Sequence, residues 1–115
     1  MKKSPLYRDT FALCGVLQTT LEKGHQHAPL RRRLAEGALR LLDHVTLAIH
    51  GFDSSERLNL ADAELCTLRI HLTLALELGV IDEESFLGFT EQADVVGRQI
   101  GGWLKKLHRE LQQPS

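Results

Sequence analysis

The stretch ERLNLADAELCTLRIHLTLALELG, Glu56 to Gly79, decides the fold. Leu58, Ala61, Leu65, Leu68, Leu72 and Ala75 recur at spacings of three and four. At about 100° per residue, that spacing gathers them on one side of a helix. Leu60, Ala63, Thr67, Ile70, Leu74 and Leu78 gather on roughly the opposite side. A helix in a bundle needs one apolar face, and the second cannot reach the same core. Single exposed apolar residues are ordinary, but these align over about five turns. The pattern therefore predicts a contact with another subunit.

The flanking sequence repeats the helical period three more times. A first segment opens at Ser4, a candidate N-cap, with Pro5 suited to the first helical position. It carries Leu6, Thr10, Leu13, Leu17 and Leu21 and ends at Gly24. A second carries Leu34, Ala38, Leu41, Val45, Ala48 and Phe52 and closes at Gly51 and FDSS, where Asp53, Ser54 or Ser55 can cap the next helix. Gly79 suits the C′ position of the third. The fourth is capped by Asp82, with Glu83 and Glu84 in its first turn, and runs through Phe86, Phe89, Ala93, Val96, Ile100, Leu104, Leu107 and Leu111. Lys105, Lys106 and Arg109 lie in its closing turns, the end that favours cations. Four helices joined by short breaks predict an all-α, antiparallel up-down-up-down four-helix bundle, one domain over residues 1–115.

The fourth segment contains VVGRQIGGWLKKL, Val95 to Leu107, in which Gly97, Gly101 and Gly102 interrupt a helical pattern. Each glycine inside a helix costs about 0.8–1 kcal/mol relative to alanine. Close packing is the expected compensation, with Gly97 and Gly101 making room at the edge of the core face. Gly102 is expected on the outer face near Val95 and Gly88, with Trp103 anchoring a contact within or between subunits.

Composition narrows the function. The chain has 115 residues, 43% hydrophobic and 25% charged, with a formal net charge of −1. That balance gives no global attraction to nucleic acid or anionic membrane. Cys14 and Cys66 lack metal-ligand spacing and are expected as small buried hydrophobes in a reducing cytosol. No signal peptide follows Met1-Lys2-Lys3 and no apolar run reaches membrane-spanning length, so a cytoplasmic protein with no membrane partner is expected.

The densest basic cluster is Arg31, Arg32 and Arg33; Arg33 and Arg40 share a helix face with His44 nearby. Arg57, Arg98, Lys105, Lys106 and Arg109 add to a patch only if folding or assembly gathers them. A solvated helix face is the competing reading. Arg69 lies beside the core stripe, with Asp62 on nearly the same face as a structural ion-pair partner. Glu22 and His25 have the Glu-x-x-His spacing of di-iron bundles, but no second such pair exists. No catalytic order of Ser, Cys, His and Asp has local support, and no glycine-rich phosphate loop follows a strand. No metal, no cofactor and no enzymatic activity are expected.

Two stretches carry a family resemblance: LNLADAELCTLRIHLTLALELG, Leu58 to Gly79, followed by VGRQIGGWLKKL, Val96 to Leu107. The chain resembles the four-helix-bundle family that includes the accessory variability determinant proteins of diversity-generating retroelements and the proteins encoded in 23S ribosomal-RNA intervening sequences. Gly97, Arg98, Gly101, Gly102 and Trp103 form the most specific element, joined by Leu60 to Arg69. The resemblance covers residues 58–107; the first two helices match in pattern only. It implies a homopentameric barrel and a non-catalytic accessory role beside a reverse transcriptase and its RNA or DNA. In the retroelement members the barrel is basic, and this chain departs from them with its charge of −1. A homo-oligomeric protein-interaction scaffold without a nucleic-acid role is the alternative expectation. Arg31, Arg32, Arg33, Arg40, Arg98, Lys105 and Lys106 are the expected partner-binding residues. Leu60, Ala63, Thr67, Ile70, Leu74, Leu78, Gly102 and Trp103 are the expected oligomer interface.

Overall fold

The side chain of Ser4 accepts a hydrogen bond from the Tyr7 backbone N–H at 3.3 Å, and Pro5 follows at the first helical position, so α1 (Pro5–Leu21) starts as its sequence predicts. The computed structural model describes residues 4–112, so the Met1-Lys2-Lys3 start lies outside the described residues. Three further helices follow: α2 (Ala28–Ile49), α3 (Ser54–Glu77) and α4 (Glu83–Gln112). Among the described residues there is no strand. Among the described residues no helix is long and apolar enough to cross a membrane.

Short connections reverse the chain, and cross-helix bonds record the order. Gln18 Nε2 donates to the Ala35 carbonyl at 2.9 Å, tying the end of α1 to the early part of α2. Arg40 meets Glu64 at 3.1 Å while His44, further along α2, meets the earlier Arg57 of α3. Gln99 Nε2 donates to Asp9 Oδ2 at 2.7 Å, joining late α4 to early α1. Each helix thus packs on the next and α4 closes on α1, while the diagonal pairs do not approach closely among the described residues. This is an antiparallel ring of four helices.

The core is the set that helical spacing selects. Leu13, Leu17, Leu34, Leu41, Leu58, Leu65, Leu68, Leu72, Val96 and Ile100 are buried. Each fully buried leucine contributes roughly 1.5–3 kcal/mol. Thr10 is the one buried polar residue among those described; its hydroxyl donates to the Leu6 carbonyl at 2.7 Å, so burial leaves no unpaired group.

Three expectations at the ends need correction. Phe52 does not extend the core face of α2: the helix stops at Ile49 and Phe52 lies in the turn, 61% exposed. Leu111 keeps the period of the α4 core stripe but is 80% exposed. With 30 residues against 17 in α1, α4 outruns the partner that would cover it. Asp53 occupies the N-cap position of α3 in a left-handed conformation (φ 53°) and makes no side-chain cap bond. The neighbouring Ser54 hydroxyl instead donates to the Ala48 carbonyl at 2.7 Å, pinning the turn to the end of α2.

Candidate interaction surface

The outward side of α3 holds the second apolar set as expected. Ile70 is 63% exposed and Leu74 45%; Leu60, Ala63 and Leu78 are also exposed, and Thr67 is half-buried. Among the described residues nothing covers this stripe, because α2 and α4 flank the opposite, inward side of the helix through Arg40–Glu64 and Arg69–Asp94. Aligned exposed apolar groups on one helix are a surface suited to another protein surface.

The basic candidates divide. Arg31 folds back over the α1–α2 connection: its Nη1 donates to the Leu21 carbonyl at 3.0 Å and its Nε to the Gln26 carbonyl at 2.6 Å. It satisfies an otherwise open carbonyl at the C-terminus of α1. Its guanidinium also lies over Gly24, where an added Cβ would come within 2.6 Å of Nη2. Arg40 is committed to Glu64, whose hydrogen bond raises the arginine pKa further. Arg32, Arg33, Arg98, Lys105 and Lys106 are exposed, but on three separate stretches of two helices. Within one chain they do not form a single patch.

The α3–α4 groove is lined by charged side chains. It encloses about 400 Å³ between Asp62, Leu65, Cys66, Arg69, Asp94, Gly97 and Arg98. Arg69 Nη1 donates to Asp94 Oδ1 at 2.6 Å, so the partner of Arg69 is Asp94 and not Asp62. Asp94 lies across the groove on α4, a position that helical spacing within α3 cannot reveal. Gly97 has the packing role expected of it: an added Cβ would sit 3.2 Å from Arg69 Nη2 and 3.3 Å from Leu65 Cδ2. Gly101 does not, because nothing lies within 4 Å of its would-be Cβ, and Gly102 likewise opens on empty space. Close packing inside the chain thus accounts for one of the three glycines. Trp103 is half-buried and packs against the chain's own core, so its intrachain role is the one observed.

Other titratable groups serve the fold. A hydrogen bond from Arg8, followed by one from Gln99, holds the Asp9 carboxyl below its usual range. The backbone N–H of Ser85 donates to Asp82 at 2.8 Å and lowers that carboxyl, the N-cap geometry expected for α4. Burial pushes the Cys14 thiol up, partly opposed by Gln18, in keeping with a small apolar filler. Cys66 departs from expectation: it is exposed at the groove rim. Among the described residues no three His, Cys, Asp or Glu side chains converge as a metal site, and Glu22 and His25 gain no partners.

Compared with protein-family models, curated proteins and solved structures, the chain matches none.

Proposed function

We propose that the protein is a non-catalytic helical-bundle accessory module that works as a cytoplasmic homo-oligomer, a pentameric barrel on the resemblance of residues 58–107. In this reading it presents its outer surface to a reverse transcriptase and the associated RNA or DNA. The single observation that carries it is the outward stripe of α3, with Ile70 and Leu74 exposed in line. A stripe of that kind suits burial between copies. Repetition around a ring multiplies contacts that are weak singly, which is how a chain of charge −1 with exposed Arg32, Arg33, Arg98, Lys105 and Lys106 would hold an anionic strand.

A second reading, a homo-oligomeric protein scaffold without nucleic acid, is favoured by a specific observation. Arg31 and Arg40 bond to acceptors of the same chain, which reduces the charge open to phosphate. Retention of a short structured RNA by the purified protein separates the two readings. Binding that weakens steeply between low and moderate salt is the expected result for the accessory module. No retention at low salt would leave the scaffold.

A further inference from the structure

The small net charge conceals two opposed clusters at one end of the bundle. The α1–α2 and α3–α4 connections close the same end, because the helices alternate in direction. Lys23, Arg32 and Arg33 lie beside the first connection, where they outnumber the single acid Glu22; Glu77, Glu83 and Glu84 lie beside the second. All seven are exposed, and none joins an ion pair among the described residues, where the pairs are Arg8–Asp9, Arg40–Glu64 and Arg69–Asp94.

Local helix electrostatics does not explain this placement. A helix N-terminus favours acids and a C-terminus favours bases. α2 has no acid in its first turn, and arginines follow in the second. α3 ends on Glu77 with no base in its last turn. Glu77 therefore works against the helix dipole, and Arg32 and Arg33, one turn inside α2, gain nothing from it. Glu83 and Glu84 at the start of α4 comply with it and add to the same acidic corner.

We infer that copies of this chain join head to tail, the acidic α3–α4 corner of one seated against the basic α1–α2 corner of the next. The inference rests on the oligomer proposed above and names the surfaces that meet. Complementary corners on a single chain recognise a second copy of that chain. Apolar surface accompanies the acidic corner, where the α3 stripe reaches Leu78 beside Glu77. The two surfaces differ, so the contact is heterologous and repeats from copy to copy until a ring closes. Opposed charges set the register, while like charges reject the inverted pairing.

The test is absolute mass by light scattering over a dilution series, from low salt to about 0.5 M, where the Debye length falls well below 10 Å. Four proteins are compared: wild type, Arg32→Glu with Arg33→Glu, Glu77→Lys with Glu84→Lys, and the chain carrying all four changes. Wild type is expected to dissociate more readily as salt rises. Each single-corner reversal is expected to weaken assembly by at least about tenfold, and the four-change chain to restore it. Both arginines are exposed, so the arginine-reversed monomer is expected to stay folded, with a cooperative melt close to that of wild type. That outcome separates lost assembly from lost folding. Single-corner reversals that assemble as wild type does at every salt would overturn the corner contact and leave the oligomer standing. A folded four-change chain that fails to reassemble would also overturn it. A wild type that is monomeric throughout would remove the oligomer itself.

Discussion

The two faces of α3 carry almost the same residue types and meet opposite fates. Leu58, Leu65, Leu68 and Leu72 are buried against the other helices, while Leu60, Ile70, Leu74 and Leu78 face out. Composition does not distinguish these faces; position around the helix does. The inward face is explained by the chain itself, whereas the outward face has no counterpart among the described residues. One face specifies the fold, and the other is available for association.

The largest expected effect comes from the inward face. Leu68→Ala removes a fully enclosed side chain and is expected to lower unfolding free energy by about 2–5 kcal/mol, read from denaturant melts in which the transition midpoint falls. Ile70→Asp with Leu74→Asp addresses the outward face. Those changes are expected to alter monomer stability by no more than about 0.5 kcal/mol per site while abolishing assembly in a sizing experiment. Comparable destabilisation by the two sets would erase the distinction between the faces.

Two glycines four residues apart give a smaller and sharper contrast. Gly101→Ala adds a Cβ in open space and is expected to raise monomer stability by about 0.8–1 kcal/mol through helix propensity. Gly97→Ala must displace Arg69 or the buried Leu65, so its gain is expected to be smaller or negative. Thermal melts of the two variants at a concentration that keeps them monomeric make the comparison. A gain at Gly97 equal to that at Gly101 would remove the packing role assigned to Gly97.

The smallest effect is electrostatic. The folded pKa of Asp82 lies below its unfolded value because the carboxylate accepts the Ser85 N–H. Its stabilising contribution is therefore complete above the unfolded value and lost as pH falls through the folded one. Asp82→Ala is expected to be less stable than wild type at neutral pH, with the difference shrinking in acid. A difference that stays constant down to acid pH would mean that the charge of the cap contributes nothing.

Much of the architecture was legible in the sequence. Helical spacing identified the buried faces of all four helices, and Ser4, Pro5 and Asp82 marked two helix starts correctly. Periodicity failed where a helix outlives its neighbours: Leu111 keeps the pattern, but no partner reaches it. It also failed for contacts between helices. Asp62 is the nearby acid on α3, yet Arg69 pairs with Asp94 across the groove, a relation fixed by the relative rotation of two helices. The arginine run shows the same limit. Arg31, Arg32 and Arg33 are alike in sequence, but Arg31 alone is drawn inward by the open carbonyl of Leu21. The first two helices contribute that cap and the basic corner.

The most direct test of the central claim is the solution mass of wild type beside Ile70→Asp with Leu74→Asp, each checked for helicity and cooperative melting. Wild type is expected at a multiple of the chain mass, and the variant is expected to be folded at the mass of one chain. A wild type that remains at the mass of one chain at high concentration, or a variant that assembles as wild type does, would contradict it.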